Sequence, residues 1–245
     1  MSPITTVIFD MYETLVENHH DQWRVTFKQI IRDQGLDVTT ETLWQAWLAQ
    51  ERGFRDSRTA PGAKFQTYYQ GWHGSFVGAF QELSLSGDPA AACHKSIEDL
   101  SQRPAYPETR EALASVQRHY RTALLSNADE DYFRPNLKLL GVEFEQVLSS
   151  EEARSYKPQP GLFLEMLRRL AVTPDECLYV GDRQFEDVKG ASGVGMGTVW
   201  LNRTEAPLDP KLPAPRYQIN NLLELPALLT RIQIGTTNPP ITPIR

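Results

Sequence analysis

Short apolar runs that each end in polar residues recur along this chain, and this recurrence most limits its possible folds. The runs are Thr6-Val7-Ile8-Phe9 before Asp10, Thr122-Ala123-Leu124-Leu125 before Ser126-Asn127, Cys177-Leu178-Tyr179-Val180 before Gly181-Asp182, and Gly197-Thr198-Val199-Trp200-Leu201 before Asn202-Arg203. Their length and β-branched content are typical of buried parallel strands. Amphipathic stretches of helical period lie between them, such as Thr109 to Tyr120 and Gly161 to Leu170. The alternation predicts an α/β fold built on a doubly wound parallel sheet.

One long segment, residues 17–104, interrupts this alternation with helical periodicity and many large aromatic side chains. The segment Pro104-Ala105-Tyr106-Pro107 marks its end, because two prolines stiffen a link and cannot continue a helix. We therefore predict a core domain made of residues 1–16 and 105–234, with an inserted α-helical cap domain at 17–104. Residues 235–245 carry three prolines and little to bury, which predicts a flexible tail.

Charge and cysteine content exclude several classes of protein. The net charge of −6 would repel a polyanion, so we expect no nucleic-acid partner. No apolar run approaches the roughly 20 residues that span a bilayer, and the N-terminus lacks the features of a secretion signal. Cys93 and Cys177 stand in no CxxC pair. We expect a cytoplasmic protein with reduced thiols that acts on a small molecule, and aromatic side chains exposed on the cap would permit a homodimer.

The polar residues after the strands are the candidate functional residues, because the carboxyl ends of parallel strands meet at one edge of the sheet. Asp10 and Ser126 follow the first two runs, and Asp182 and Asp187 flank a turn from strand to helix. Carboxylate oxygens at this edge could hold Mg²⁺. Lys157, which is followed by proline, could neutralise a substrate anion. Each residue alone has a plainer interpretation, as a helix cap, a turn or a surface charge.

Taken in order, Asp10, Ser126, Lys157 and the Asp182/Asp187 pair resemble the four motifs of the haloacid dehalogenase superfamily. The resemblance implies that Asp10 is a nucleophile that becomes covalently loaded. It also implies catalytic roles for four residues, which are Asp10, Tyr12, Lys157 and Asp187. The substrate-binding residues that it implies are Thr14, Ser126, Asn127 and Lys157. The implied Mg²⁺ ligands are Asp10, the backbone carbonyl of Tyr12 and Asp182, with Asp187 anchoring a bound water.

Tyr12 separates two chemistries within this superfamily. The superfamily's phosphatases carry a second aspartate there, which acts as general acid and base, whereas its L-2-haloacid dehalogenases carry tyrosine. The dehalogenases, however, have serine and asparagine where this chain has Asp182 and Arg183, and they have tyrosine where it has Phe163. The first motif therefore resembles the dehalogenases and the fourth resembles the phosphatases.

Three functions follow from this mixture. The first is Mg²⁺-dependent hydrolysis of a small phosphate ester through an aspartyl-phosphate. The second is metal-independent hydrolysis of a 2-halo acid, in which Asp10 attacks the halogen-bearing carbon. The third is a catalytically weak protein of the same fold that binds a phosphorylated ligand, because the general acid is missing. Glu13 is not assigned the acid role, since strand-like alternation would point it away from Asp10.

Overall fold

A computed structural model describes residues 3–235, so most of the predicted tail lies outside the described residues. The described chain forms two compact units. The first consists of the residues up to Glu17, Pro104–Asn127 and the residues from Leu140 on, and the second of Asn18–Arg103 and Ala128–Leu139.

The first unit contains a six-stranded sheet in which every neighbouring pair of strands is parallel. The strands are β1 (Thr6–Phe9), β2 (Arg121–Ser126), β3 (Gln146–Ser149), β4 (Cys177–Gly181), β5 (Gly197–Leu201) and β6 (Tyr217–Ile219). Their order across the sheet is β3-β2-β1-β4-β5-β6. Such an order winds the chain outward from β1 in two directions, which confirms the predicted doubly wound parallel sheet.

The helices of the chain follow the predicted alternation with small shifts of their ends. They are α1 (His20–Gln34), α2 (Thr40–Ser57), α3 (Tyr68–Glu82), α4 (Pro89–Leu100), α5 (Thr109–Gln117), α6 (Glu130–Leu140), α7 (Ser150–Ala153), α8 (Pro160–Leu170), α9 (Lys189–Gly193) and α10 (Leu225–Gln233). A π-helical turn occupies Gln184–Val188, and 3-10 turns occupy Pro174–Glu176 and Leu222–Glu224.

Strand β3 is absent from the prediction because it contains only two consecutive apolar residues, Val147 and Leu148. As an edge strand it is covered by fewer neighbours, and its first two residues are only partly buried. A short and half-polar strand of this kind gives a weak sequence signal.

The chain leaves and re-enters the first unit through two adjacent segments. Val16 and Ala105 form an antiparallel bridge. The Glu17 N–H donates to the Pro104 carbonyl at 2.9 Å, and the Tyr106 N–H donates to the Leu15 carbonyl at 3.1 Å. These hydrogen bonds place the departure and the return of the chain side by side.

Four consecutive helices, α1 to α4, make up most of the second unit, and aromatic side chains fill its interior. Trp23 stacks on Trp47 at 5.4 Å between ring centroids, and Phe27 stacks on Phe76 at 5.4 Å. Trp44 contacts the rings of both Trp23 and Trp47. All five side chains are buried, so this aromatic set is core rather than a surface for substrate.

Residues 128–139 group with the helical unit, whereas the sequence pattern places them in the core domain. The carboxylate of Asp129 explains this, since it accepts hydrogen bonds from the N–H groups of Tyr68 and Tyr69, both at 2.8 Å. N–H groups of the first turn of a helix have no acceptor within the helix itself, and a carboxylate there stabilises the helix. Asn136 also donates to the Leu100 carbonyl at 2.7 Å.

Two predictions about the chain as a whole concern bilayer-spanning segments and thiols. Among residues 3–235, the structure contains no helix with the length and hydropathy required to span a bilayer. Both cysteines are free and buried, and burial raises the pKa of each thiol to about 12. The thiols are therefore protonated structural groups.

Candidate active site

The candidate residues meet at the carboxyl edge of the three central strands. β1 lies between β2 and β4, with Phe9 aligned with both Leu124 and Val180. Asp10 therefore emerges next to Ser126, which ends β2, and near Asp182, which follows β4. The parallel sheet brings Asp10 together with residues that are more than a hundred positions away in sequence.

Asp10 is 5% exposed, and its two oxygens have different surroundings. Oδ1 accepts hydrogen bonds from the Ser126 hydroxyl at 2.8 Å and from Lys157 Nζ at 2.7 Å. Oδ2 is held more loosely, since the Thr14 hydroxyl lies 3.5 Å away. The carboxylate is thus fixed mainly through Oδ1, and Oδ2 is the less constrained oxygen.

Lys157 is a buried cation between two carboxylates. Its ammonium lies 2.7 Å from Asp10 Oδ1 and 2.6 Å from Asp187 Oδ1. Burial opposes the charge, but the two carboxylates outweigh it and hold the lysine pKa well above its usual value. Lys157 is therefore a charged ammonium, and its predicted contact with a substrate anion stays a prediction.

The side chain of Asn127 contacts the backbone of Lys157. Its side chain accepts from the Lys157 N–H at 2.8 Å and donates to the Lys157 carbonyl at 3.2 Å. This pair of bonds fixes the backbone that carries the lysine. Asn127 thus positions Lys157, and its predicted contact with substrate stays a prediction.

Asp182 and Asp187 join Asp10 in one acidic group, in which a carboxylate oxygen of each lies within 4.8 Å of those of the others. Asp187 stands on the π-helical turn, where its Oδ2 accepts from the Arg183 N–H at 2.9 Å. Burial raises its pKa to about 6 against the opposing charge of Lys157. Burial and the charges of Asp187 and Asp10 raise the pKa of Asp182 well above its usual value.

Thr14 lies between two of these carboxylates. Its hydroxyl is 3.3 Å from Asp182 Oδ1 and 3.5 Å from Asp10 Oδ2. One hydroxyl hydrogen can serve only one of them at a time. Thr14 therefore contacts the acidic group, and its predicted role in binding substrate stays a prediction.

Tyr12 and Glu13 lie on the loop that follows Asp10. Tyr12 is partly buried, two residues after the nucleophile candidate. The strand-like geometry assumed for Glu13 is wrong, since its φ of 63° lies in the left-handed region. Its carboxylate accepts a hydrogen bond from the Tyr106 hydroxyl at 3.0 Å, so a tyrosine from the returning segment engages it.

Arg203 supports the same loop. Its Nη2 donates to the Thr14 carbonyl at 3.0 Å, and its guanidinium lies 3.7 Å from the centre of the Tyr106 ring. It also pairs with Glu108. In the sequence, Arg203 stands out only as one of the polar residues that follow the fourth apolar run.

Tyr179 is a second residue that the sequence did not single out. It stands on β4, is 1% exposed, and its hydroxyl accepts from Lys157 Nζ at 2.9 Å. A tyrosine inside a buried strand needs a hydrogen-bond partner, and this is the signal that could have identified it.

Comparison with known families identifies the family of this chain. Residues 4–195 match the family model described as haloacid dehalogenase-like hydrolase. The chain belongs to this family. Hydrolase function is therefore shown, and the match includes the Asp10, Ser126, Lys157 and Asp182/Asp187 positions.

Relatives within the haloacid dehalogenase-like family have two different activities. (S)-2-Haloacid dehalogenase 1 of a Pseudomonas species is 26% identical over 95% of this chain and 99% of its own length. Human N-acylneuraminate-9-phosphatase is 31% identical, over 51% of this chain and 52% of its own. The structure of L-2-haloacid dehalogenase from Xanthobacter autotrophicus with covalently bound chloropropionic acid superposes with a TM-score of 0.74 at 22% identity, covering 93% and 98% of the two chains.

The acidic group of this haloacid dehalogenase-like protein consists of carboxylate oxygens, which are suitable ligands for a hard divalent cation. Three carboxylates are close together, of which those of Asp10 and Asp187 are buried and that of Asp182 is partly buried. The buried lysine next to them supplies one positive charge, and Arg183 pairs with Glu186 at 3.4 Å. Burial raises the pKa values of Asp182 and Asp187, and the neighbouring carboxylates add to the rise. Oxygen donors with excess negative charge are what Mg²⁺ prefers.

Proposed function

We propose that this protein is a Mg²⁺-dependent hydrolase of a small phosphorylated metabolite, with Asp10 as the nucleophile. The observation that carries the proposal is the excess of carboxylates over ammonium groups at the strand edge. A metal-independent hydrolase has no use for Asp182, which lies close to two other acids at a cost in free energy. A bound cation would remove that cost.

The binding of Mg²⁺ would involve Asp10, Asp182 and the backbone carbonyl of Tyr12, with Asp187 orienting a bound water. When bound, Mg²⁺ would neutralise the substrate's phosphoryl charge. Lys157 would contribute a second positive charge, and Ser126 would orient Asp10 through its 2.8 Å hydrogen bond.

The first step is in-line attack of Asp10 on phosphorus through Oδ2, the more loosely held oxygen. The new bond joins this oxygen to phosphorus, and the bond from phosphorus to the leaving oxygen breaks. In the second step water attacks the aspartyl-phosphate, releasing inorganic phosphate and restoring the carboxylate. Lys157 would lie next to Asp10 in both steps.

Tyr12 limits which phosphates would be good substrates. A neutral phenol at this position does not replace a carboxylic acid as proton donor to the leaving group. General acid catalysis is typically worth about 10²- to 10⁴-fold in rate. We therefore expect a substrate whose leaving group is a weak base, such as an acyl phosphate, or one that supplies its own proton.

A panel of substrates with and without Mg²⁺ tests this proposal. Acetyl phosphate, para-nitrophenyl phosphate and sugar phosphates would be compared with 2-chloropropionate. Phosphate release that requires Mg²⁺ and disappears in Asp10→Asn and Asp182→Ala would support it. Halide release without metal, combined with no phosphate release, would reject it.

Dehalogenation is the second candidate, and two observations favour it. One is that Tyr12 stands where the L-2-haloacid dehalogenases of this superfamily also carry tyrosine. The other is that the similarity to the Pseudomonas dehalogenase extends over 95% of this chain. In that reaction Asp10 displaces halide from carbon, and water then hydrolyses the ester. An Asp182→Ala variant that keeps its full rate of halide release would support this alternative.

A further inference from the structure

The hydroxyl of Tyr179 lies where the apolar core of the first unit meets the candidate active site. The ring belongs to the buried cluster that also contains Ile8, Leu125 and Phe163. Its centroid is 5.4 Å from that of Phe163. The hydroxyl, in contrast, lies 2.9 Å from Lys157 Nζ, so one side chain contacts both environments.

Lys157 uses all of its hydrogen-bonding capacity in this arrangement. A lysine ammonium carries three N–H donors and no acceptor. The three acceptors are Asp10 Oδ1 at 2.7 Å, Asp187 Oδ1 at 2.6 Å and the Tyr179 hydroxyl at 2.9 Å. The tyrosine is the neutral member of the three, so chemistry at Asp10 does not change its charge.

The Tyr179 hydroxyl is itself fixed to the backbone of the sheet. It donates its hydrogen to the Leu125 carbonyl at 3.0 Å. Leu125 is on β2, and β1 lies between β2 and β4. The tyrosine side chain therefore crosses the strand that delivers Asp10, and its oxygen has a fixed position relative to that strand.

We propose that Tyr179 is a positioning residue that holds the Lys157 ammonium in place while Asp10 is covalently loaded. The inference rests on Asp10 being the nucleophile, but it applies equally to phosphoryl transfer and to dehalogenation. Loading through Oδ2 converts Oδ1 from a carboxylate oxygen into the neutral carbonyl oxygen of an acyl phosphate or an ester. The contact of Lys157 with Oδ1 is then no longer ionic, and Asp187 and Tyr179 remain to hold the ammonium in place.

Hydrogen exchange at the lysine ammonium tests this placement without any substrate. The ¹⁵N-labelled ammonium of Lys157 would be observed by NMR and assigned by its loss in Lys157→Arg. A buried ammonium with three acceptors exchanges slowly with water. We expect Tyr179→Phe to accelerate this exchange by about tenfold or more, because one N–H loses its partner.

Tyr217→Phe is the matched control. Tyr217 is also a buried tyrosine of the same sheet, on β6, and its hydroxyl has no hydrogen-bond partner among residues 3–235. This variant should leave the exchange of the Lys157 ammonium within about twofold of wild type. Unchanged exchange in Tyr179→Phe, or the same acceleration in both variants, would overturn the proposal.

Kinetics separate positioning from a loss of folded protein. With the substrate that the wild type hydrolyses, Tyr179→Phe should lower kcat by about 10- to 100-fold and change KM by less than about threefold. Intact-protein mass spectrometry after acid quenching should show a larger fraction of loaded Asp10 than in wild type. A raised KM with unchanged kcat, or a loaded fraction that does not rise, would contradict the role.

Failure of the proposed function gives a different pattern. If Asp10 is never loaded in the wild type and Asp10→Asn keeps its activity, then the nucleophile assignment is wrong and the loaded-state role of Tyr179 is rejected with it. The exchange measurement would then still report whether Tyr179 holds Lys157 in the resting protein.

Discussion

Gly181 and Asp187 pack so closely that a Cβ added to Gly181 would lie 2.4 Å from the Cγ of Asp187. The last residue of β4 must therefore lack a side chain for the carboxyl to reach Lys157 and the Arg183 N–H. Gly181→Ala should displace Asp187 and cost about 1–3 kcal/mol of stability, as overpacking typically does. We also expect kcat per folded molecule to fall, so the loss of activity should exceed the loss of folded protein.

The matched control is Gly193→Ala, on helix α9 of the same unit. An added Cβ there meets nothing within 4 Å. Because alanine favours a helix by up to about 1 kcal/mol over glycine, this variant should be as stable as wild type or more so. Equal effects of the two substitutions would refute the packing explanation.

Asp182 should matter to metal binding more than to folding. Asp182→Asn removes one of three neighbouring carboxylates, so the metal-free protein should melt at the same or a higher temperature than the wild type. Mg²⁺ should raise the melting temperature of the wild type, and it should raise that of the variant much less. Differential scanning calorimetry in EDTA and in excess Mg²⁺ measures both effects. An equal stabilisation by Mg²⁺ in both proteins would remove Asp182 from the set of ligands.

The stability of the metal-free protein should depend on pH through Asp187. Burial raises the pKa of this carboxyl from 3.8 to about 6 in the folded protein, so the folded state binds more protons than the unfolded state between these values. Its contribution to stability therefore falls as pH rises through this interval, by up to about 3 kcal/mol. Denaturant titrations at several pH values in EDTA, compared with Asp187→Asn, isolate this contribution.

Excess Mg²⁺ should reverse the trend, because the cation binds the deprotonated carboxylates and stabilises more as pH rises. If the difference between wild type and Asp187→Asn in EDTA does not vary with pH, Asp187 does not titrate as expected.

Tyr12→Asp tests the missing general acid. If phosphoryl transfer is the reaction, an aspartate two residues after the nucleophile should raise kcat/KM for an alkyl phosphate by about 10²-fold. Acetyl phosphate should gain little, because its leaving group needs no proton. Tyr12→Phe serves as the control for the loss of the hydroxyl. If Tyr12→Asp abolishes halide release and yields no phosphatase activity, the result would instead indicate dehalogenase chemistry.

Much of the fold and of the candidate site follows from the sequence. β1 and β5 begin and end at the predicted residues, and β2 and β4 extend slightly beyond them. Apolar runs that end in polar residues are a local signal. Combined with the rule that parallel strands present their carboxyl ends at one edge, this signal predicted that Asp10, Ser126 and Asp182 would meet.

The tertiary structure decided which atoms these residues contact. Asn127 holds the backbone of Lys157, Tyr179 holds its ammonium, and Asp129 holds the first turn of α3. None of these pairs is close in sequence, so no local pattern encodes them.

The sequence alone determined which polar residues stand at the carboxyl ends of the strands. These positions depend only on chain direction and on hydrophobic periodicity. The structure alone decided the balance of charge around Asp10, because that balance depends on distances set by packing. The left-handed backbone of Glu13 and the close approach of Asp187 to Gly181 also depend on the folded structure. Both are determined by neighbours that only the folded chain brings together.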